Sequence, residues 1–222
     1  KISRYWRVSV VEVTGSTQDD LAALVARDEA INGAVLVTEY QSAGRGRLDR
    51  TFDAPQSSAL LFSLFIEPKR EKNEWSFLPL LAGLVSTLAI SELDPRFTVE
   101  LKWPNDLQIA GKKLGGIIAQ ATDSGVVIGI GINVGMNRSE LPIELATSLM
   151  IEEFGILDRN LILASILNNF EELLGRWEDG EDLRHLYRER SATLSQKIQV
   201  ELPGGEKRSG FAEDISPAGE LI

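Results

Sequence analysis

Basic side chains are concentrated at a few places in a chain that is otherwise acidic. Arginine alternates with glycine at residues 44–47 and recurs at Arg50, which puts three guanidinium groups within six residues. The run Lys-Trp-Pro-Asn-Asp occupies residues 102–106, and Lys113 follows Asp106 by seven residues. The whole chain has 23 Lys plus Arg against 33 Asp plus Glu, so this clustering calls for an explanation. Cations beside glycines that expose backbone N–H groups predict an anion site, which a nucleotide's phosphates would fit.

Each motif also has a purely structural interpretation. The arginine segment could be a solvated surface turn, since Gly and Arg are both common on surfaces. Residues 102–106 could be a strand end followed by a proline turn, with Trp103 in the core, and Lys113 could be a solvated surface lysine. The functional interpretation is favoured because three cations on a glycine-permissive backbone can close over a phosphate.

The composition of the chain argues against several classes of function. With 222 residues, 43% of them apolar and 25% charged, the chain can form one sizeable core with a small appended module. A net charge of −10 argues against nucleic acid as a main partner, because DNA binding needs several uncompensated cations. The absence of cysteine excludes disulfides and thiolate chemistry. The single histidine, His185, lies among charged residues in a helical pattern, so a protein zinc site is not expected.

The sequence also predicts that the protein does not insert into a membrane. Its longest apolar run, residues 78–90, is too short to cross roughly 30 Å of hydrocarbon as a helix. Residues 1–7 include basic side chains, but no apolar stretch like that of a secretory signal follows them. We therefore expect a cytoplasmic protein.

The hydrophobic pattern predicts an α+β domain with a mixed sheet, followed by a small β module. Strands are predicted at residues 8–13, 34–38, 60–66, 99–101, 107–109, 114–122 and 126–134, the last of them closing the sheet. Helices are predicted at residues 19–30, 75–93, 159–177 and 182–190. Short strands at 198–202 and 210–212 flank a Pro203-Gly204-Gly205 turn, and the sequence ends before that module is complete. The expected domains are residues 1–192 and 193–222.

Residues 129–133, Gly-Ile-Gly-Ile-Asn, invite comparison with a dinucleotide-binding fingerprint. The third glycine is misplaced and the following residues do not open a convincing helix, so the fingerprint fails. No Walker A motif occurs in the sequence either, which argues against a P-loop NTPase. The segment is better interpreted as a strand whose glycines allow a ligand to approach closely, with Asn133 as a polar tip.

Taken in order, the motifs resemble those of the biotin–protein ligases. The matching segments are Gly-Ser-Thr at residues 15–17, Gln41, residues 44–47, residues 102–106, Lys-Leu-Gly-Gly-Ile at residues 113–117, and residues 129–133. The resemblance extends from Val13 to the unfinished β module. It implies a catalytic domain related in fold to class II aminoacyl-tRNA synthetases, with an SH3-like domain after it.

The resemblance also implies two half-reactions that depend on ATP and Mg²⁺. Biotin's carboxylate would attack the α-phosphate of ATP to give biotinyl-5′-AMP and pyrophosphate. A lysine amine on the biotin carboxyl carrier protein domain of acetyl-CoA carboxylase, or of a related carboxylase, would then take the biotinyl group. The first step brings together two anions that repel each other, which agrees with the clustered cations.

Roles for individual residues follow from the resemblance, position by position. The biotin pocket would be lined by Ser16, Thr17, Gln41, Gly44, Arg45, Lys113, Gly116, Gly129 and Ile130. Contacts to ATP and the adenylate would come from Arg47, Arg50, Phe52, Lys102, Trp103, Asn105 and Asn133. Catalytic roles would fall to Lys113, Arg45, Arg47 and Asp106. No metal site is expected from the protein alone, and Mg²⁺ would arrive with ATP, near Asp106.

The chain departs from the family's pattern at two positions in the arginine loop. Asp49 stands where the family often has glycine, and Phe52 where tryptophan is common, and both bear on how the loop closes. Larger members carry a winged-helix DNA-binding domain before the catalytic domain. This chain starts too late to contain one, so repressor activity is not expected.

Several alternatives stay open at this point. A lipoate or octanoate ligase-like acyltransferase of similar fold is one alternative function, and a non-catalytic module that binds biotin or its adenylate is another. The protein could be a monomer or a homodimer, since an edge strand could pair two copies.

Overall fold

A seven-stranded mixed sheet forms the centre of the protein. The computed structural model describes residues 1–47, 50–202 and 204–222. In chain order, strands β1 to β7 are Arg7–Thr14, Ala34–Gln41, Ala59–Ile66, Glu100–Lys102, Asp106–Ile109, Lys112–Ala121 and Val126–Asn133. Their order across the sheet is β1-β2-β3-β7-β6-β5-β4, with β1 parallel to β2 and the other neighbours antiparallel. The predicted α+β class with a mixed sheet is confirmed.

One prediction about the sheet was wrong. Strand β7 does not close the sheet but lies at its centre, where it pairs with β3 on one side and β6 on the other. All eight residues of β3 and of β7 are buried, as expected of inner strands. The hydrophobic sequence of such a strand is enough to predict that it is buried. Which strands pair with it depends on contacts between residues that are far apart in the chain.

Helices cover both faces of the sheet. They are α1 (Thr17–Ala26), α2 (Leu78–Leu93, preceded by a 3₁₀ helix at Lys72–Phe77), α3 (Arg159–Glu178) and α4 (Arg184–Arg190). Phe65 of β3 packs with Leu21 of α1, whereas Leu64 joins the larger core that contains α2 and α3. Because neighbouring residues of a strand point to opposite faces, α1 lies on one face and the α2–α3 layer on the other.

Helix α1 starts and ends earlier than the predicted 19–30. Ser16 is its N-cap, and the Ser16 hydroxyl accepts a hydrogen bond from the backbone N–H of Asp19. The helix ends at Ala26, and Asp28 follows in the left-handed region with φ 58°. The earlier start puts Thr17 and Gln18 in the first turn of the helix, which matters for the site described below.

The helix predicted at residues 75–93 is present and starts slightly earlier, since the helical segment runs from Lys72 to Leu93. Its 22 residues, counted with the 3₁₀ turn, are long and apolar enough to cross a membrane by length and composition. The helical segment is therefore longer than the apolar run at residues 78–90, whose length alone predicted that it could not cross a membrane. Most of this helix is nevertheless buried: 67% of its most apolar 18-residue stretch lies inside the protein, where α2 packs against α3. These features are those of a core helix.

A tight hairpin joins β5 to β6. Ala110 and Gly111 form its turn, both with positive φ (48° and 77°), as a two-residue hairpin connection requires. The pairing shifts between Leu107 and Gln108, so Lys113 lies opposite Gln108. This register places the Lys113 side chain on the same face as that of Asp106, two residues from Gln108 along β5.

The carboxyl-terminal segment forms a separate two-stranded antiparallel sheet, β8 (Lys197–Glu201) and β9 (Lys207–Phe211), as expected of a small β module. Pro203 of the predicted turn lies outside the described residues. The segment is tied to the main sheet through Trp103, whose backbone N–H donates to Thr193 Oγ1 at 2.9 Å and whose indole N–H donates to the Gly219 carbonyl at 3.0 Å. A domain boundary between residues 192 and 193 stays a prediction.

An ion pair at the end of α2 gives the first testable prediction, on stability and pH. Asp94, the C-cap of α2, accepts two hydrogen bonds from the Arg96 guanidinium, at 2.9 and 2.6 Å, and one from the Gly155 backbone N–H at 3.2 Å. The Arg96 guanidinium holds the pKa of the Asp94 carboxyl well below its usual value. Because the folded-state pKa is lowered, the stabilisation is fully present above the usual pKa of the carboxyl, declines as the pH falls below that value, and is lost once the pH has fallen through the folded-state pKa.

Asp94→Asn is therefore expected to lower the free energy of unfolding at pH 7. The difference from the parent protein should shrink below about pH 4, where the unfolded carboxyl itself becomes protonated. Urea unfolding at about pH 7 and pH 3 measures both values. Asp123→Asn is the control, because Asp123 is exposed and its carboxylate bonds to no described residue. A difference that does not depend on pH would contradict the prediction.

Candidate active site

Three glycines in strands β6 and β7 form the floor of a cavity of about 500 Å³. Gly116 of β6 lies directly opposite Gly131 of β7, and Gly129 is the next residue of β7 on the same face. A Cβ on Gly129 would stand 2.7 Å from the side-chain oxygen of Gln18, and one on Gly131 would stand 2.8 Å from the Phe52 ring. A side chain at 129 or 131 would therefore have to displace Gln18 or Phe52, which pass directly over the strand.

Polar side chains line one end of this cavity, and those of Thr17, Gln18 and Ser63 are buried. Gln41 Oε1 accepts hydrogen bonds from the Thr17 backbone N–H at 2.8 Å and from the Thr17 hydroxyl at 3.1 Å. The Thr17 hydroxyl also lies 2.9 Å from that of Ser63 in β3. Gln18 donates from Nε2 to the Val127 carbonyl at 3.0 Å. The early start of α1 makes this cluster possible, since it brings Thr17 and Gln18 over strands β3 and β7.

The β5–β6 hairpin contributes a lysine and a carboxylate to the lining of the cavity. Lys113 Nζ donates to Asp106 Oδ1 at 2.6 Å, and both side chains are about one-third exposed or less. Asn105 lies beside them, and its side-chain amide donates to the Ile117 carbonyl at 3.0 Å. The Lys113 backbone is fixed as well, because its N–H donates to the Leu145 carbonyl at 2.8 Å. The amine is thus held on a rigid strand rather than on a mobile surface segment.

The arginine loop lies along the cavity. Phe52 N–H donates to the Gly44 carbonyl at 2.9 Å, and Gly46 N–H donates to the Arg50 carbonyl at 2.7 Å. Arg45 forms an ion pair with Asp19 of α1 at 2.5 Å. Asp49, where the family often has glycine, lies outside the described residues.

The lining of the cavity is positively charged, although the chain is acidic. Among the described residues, its basic side chains are Arg45, Arg47, Arg50, Lys102 and Lys113. Its acidic side chains, in the same described part of the chain, are Asp106 and Glu201. Cations on walls of low dielectric attract an anionic ligand and lower the repulsion between two anions held together.

Nearly all of the residues predicted from the sequence come together here. Those that line the cavity are Ser16, Thr17, Gln41, Arg45, Arg47, Arg50, Phe52, Lys102, Trp103, Asn105, Asp106, Lys113, Gly116, Gly129 and Ile130. Two do not line it. Gly44 supports the loop from behind, since a Cβ there would stand 2.2 Å from the Phe52 carbonyl oxygen. Asn133 is buried, and its side-chain amide donates to the Thr147 carbonyl at 2.9 Å.

Sequence reasoning missed several lining residues. Gln18 directly follows the Ser16-Thr17 pair, and Ser63 is the one polar residue in the buried strand Ala59–Ile66. The sequence therefore contained information that could have identified both as lining residues. Thr193 and the β8 segment at 198–202 also line the cavity. The sequence does not indicate that these residues line the cavity, because their position depends on how the carboxyl-terminal segment folds back onto residues 102–105.

Comparison with known proteins identifies the family. The biotin/lipoate A/B protein ligase family matches residues 10–137. The biotin–[acetyl-CoA-carboxylase] ligase of Mycobacterium tuberculosis is 37% identical over 221 residues, covering 97% of this chain and 83% of that protein. The bifunctional ligase/repressor BirA of Escherichia coli is 30% identical over 222 residues, covering 97% of this chain and 68% of that protein.

Solved structures agree with the sequence comparisons. The biotin protein ligase from Aquifex aeolicus in complex with biotin and ATP has a TM-score of 0.83 and 28% identity. The match covers 97% of this chain and 90% of that chain. The resemblance to biotin–protein ligases found in the motifs is thereby confirmed, and the chain belongs to the biotin/lipoate A/B protein ligase family.

Proposed function

We propose that the protein is an ATP-dependent biotin–protein ligase, which forms biotinyl-5′-AMP and transfers biotin to a lysine of a biotin carboxyl carrier protein. The observation that carries this proposal is that a single cavity is lined both by the hydrogen-bonded pair Thr17 and Gln41 and by a set of cations, Lys113 and the arginines of the loop. Sequence relatives named as biotin ligases and the structural match to a ligase that binds biotin and ATP support it.

In the first half-reaction, an oxygen of the biotin carboxylate bonds to the α-phosphorus of ATP, and the bond from that phosphorus to the bridging oxygen breaks. Pyrophosphate leaves with the bonding electrons. Lys113 neutralises the carboxylate and the α-phosphate as they approach, and Arg45 and Arg47 add charge from the loop. Fixed cations of this kind lower the barrier because they need no reorganisation as charge develops.

Other lining residues hold the nucleotide. Arg50 and Lys102 face its phosphates, Phe52 and Trp103 offer aromatic surface, and Asn105 offers a polar contact. Asn133 would reach the nucleotide only after giving up its bond to Thr147, so its role stays a prediction. When bound with ATP, Mg²⁺ would supply further neutralisation of the phosphates.

Asp106 is the residue best placed to hold that Mg²⁺. The ion is commonly bound through one or two carboxylates together with substrate phosphates, and a single carboxylate on the cavity wall fits that pattern. Within the described ranges, no group of three or more His, Cys, Asp or Glu comes together to hold a metal by itself. Asp106 is also the partner of Lys113, so it orients the amine whether or not the ion is bound.

In the second half-reaction, the amine nitrogen of a carrier lysine bonds to the biotinyl carbonyl carbon, and the bond from that carbon to the AMP oxygen breaks. The nitrogen loses a proton and AMP leaves. The loop helps by excluding water from the mixed anhydride, which water would otherwise hydrolyse. The relative named for acetyl-CoA carboxylase supports a carrier of that enzyme as the partner.

The polar end of the cavity favours biotin over lipoate or octanoate. A lipoyl ring or an octanoyl chain has no N–H or carbonyl at its far end, so Thr17 and Gln41 would lose water without gaining a partner. Buried polar groups left unpaired reject a ligand strongly. Biotin's ureido ring carries both kinds of group.

Mass spectrometry of a carrier domain tests the proposed function. The purified protein, incubated with the domain, biotin and MgATP, is expected to add one biotinyl group to a single lysine. Parallel incubations contain lipoate or octanoate in place of biotin, and one omits ATP. Addition of lipoate or octanoate in preference to biotin would replace the proposal with the acyltransferase. Biotin binding without any transfer would identify a non-catalytic module.

A further inference from the structure

Tyr187, the buried residue of helix α4, carries a hydroxyl that the site described above does not use. Its side chain is almost completely enclosed, with 1% of the residue's surface exposed. Burial raises the pKa of the Tyr187 phenol above its usual value, and no hydrogen bond from a described residue offsets that effect. The hydroxyl is therefore neutral and keeps its hydrogen. A buried hydroxyl without a partner destabilises a fold, so this one needs an explanation.

Water can reach this hydroxyl. Among the described residues, no side-chain nitrogen or oxygen is both sealed from solvent and without a hydrogen-bond partner. The Tyr187 oxygen bonds to no described residue, so it must be open to a molecule the size of water. A small pocket beside Tyr187 supplies the space. Its volume is about 10 Å³, which is enough for one water molecule.

The turn between β4 and β5 separates this pocket from the main cavity. The residues that line both spaces are Lys102, Pro104, Asn105, Asp106 and Ile117. Apart from these residues and the tyrosine, the lining of the pocket is apolar. A molecule in the pocket would thus lie directly behind the wall that we assign to ATP and Mg²⁺, and would support that wall from the side that faces away from the nucleotide.

The middle of the turn lacks the bonds that hold its two ends. At one end, the Trp103 backbone N–H donates to Thr193, and at the other Asn105 forms two hydrogen bonds with Ile117. Pro104, between them, has no N–H. No described residue donates to the backbone carbonyls of Trp103 and Pro104 or accepts from the backbone N–H of Asn105. A buried water bonds to about two to four polar groups, and these groups, with the buried hydroxyl, can provide them.

We propose that the pocket binds one ordered water molecule, which bridges the Tyr187 hydroxyl and the backbone of the turn at residues 103–105. Tyr187 is then a positioning residue for Lys102, Asn105 and Asp106, because the water fixes the middle of the turn that presents them. A bridging water holds two groups nearly as well as a direct hydrogen bond does. The positioning role rests on the proposed function, since it takes ATP as the ligand at this wall, but the water site does not.

A high-resolution crystal structure of the protein tests the water site directly. One water molecule is expected within about 3.2 Å of both the Tyr187 hydroxyl oxygen and a backbone nitrogen or oxygen of residues 103–105. In Tyr187→Phe that water should lose its ordered position. A parent structure without a water that bridges these groups would overturn the inference.

Thermal unfolding of Tyr187→Phe distinguishes a bridged hydroxyl from an unpaired one, because the substitution removes the hydroxyl alone. If the water bridges it to the turn, the melting temperature should fall by about 2–4 °C, the effect of one lost hydrogen bond in a chain of this size. Removal of a buried polar group that bonds to nothing has the opposite sign, since it relieves an unpaid desolvation. An unchanged or raised melting temperature would therefore count against the water bridge.

Initial-rate ATP–pyrophosphate exchange measures the positioning role. In Tyr187→Phe, KM for ATP should rise about three- to tenfold, because the turn that contacts the nucleotide loses a support. KM for biotin should stay within about twofold, since Thr17 and Gln41 lie on other elements of the fold. Tyr5→Phe is the matched control, because the Tyr5 hydroxyl donates to Asn32 Oδ1 at 3.0 Å and Tyr5 does not line the cavity. The control should change neither constant.

The split between the two constants decides the positioning role. Equal changes in both, or no change in KM for ATP, would show that Tyr187 is merely structural and would overturn that role. A parent protein without biotin-dependent exchange would instead refute the proposed function, and the crystal structure and the melting temperature would still decide the water site. The two failures are therefore distinguishable.

Discussion

Replacing Lys113 by methionine is expected to reduce biotin-dependent ATP–pyrophosphate exchange by about 10²–10³-fold, the cost typical of losing one fixed charge or donor at a reacting oxyanion. Methionine keeps most of the aliphatic stem but loses the ammonium that lies 2.6 Å from Asp106 and faces the cavity. Without it, the carboxylate of biotin and the α-phosphate meet with their charges uncompensated. The loss should appear mainly in kcat, since the polar end that binds biotin is unchanged.

Lys112→Met is the matched control for this prediction. Lys112 neighbours Lys113 in the same strand, but its side chain is exposed and its ion pair is with Glu152, at 3.6 Å. The control should keep its exchange rate within about twofold. An exchange rate in Lys113→Met equal to that of the control would show that Lys113 has no catalytic role. Thermal unfolding of both variants reports whether a lost rate reflects lost structure.

The second large effect is expected from Gly131→Val, which fills the cavity floor. Valine suits a β-strand, but its Cβ would stand 2.8 Å from the Phe52 ring and its methyl groups would occupy ligand space. If a steric penalty of the size seen for overpacked cores, about 1–3 kcal/mol, falls on the bound state, the dissociation constant for biotin rises by about 5- to 150-fold. Isothermal titration with biotin measures the loss of affinity directly.

Gly210→Val provides the comparison for this substitution. Gly210 is also in a strand, β9, but nothing lies within 4 Å of a Cβ built there. Its affinity for biotin should equal that of the parent protein. Unchanged affinity in Gly131→Val as well would mean that the glycine floor is not part of the binding site. A fall in affinity for both variants would point to a general effect of valine in a strand rather than to the cavity floor.

Local sequence patterns determined much of this protein. The buried strand Ala59–Ile66 and the helix Leu78–Leu93 follow from continuous apolar runs, and the β5–β6 hairpin follows from the Ala110-Gly111 turn. Each of these elements depends on residues that are close together in the chain, so the local sequence is enough to predict it. The motifs at 44–47, 102–106 and 113–117 likewise indicated the family before any fold was known.

Only the tertiary structure decided which of these pieces meet. Strand β7 lies at the centre of the sheet rather than at its edge because β3 and β6, which are far apart in the chain, both pair with it. Asn133 was expected at the nucleotide but bonds to Thr147, since buried amides take the nearest available partner. The residues Thr17, Gln18 and Ser63 can be singled out in the sequence, but the contacts among them depend on the packing of α1 on the sheet, and no sequence period encodes that packing.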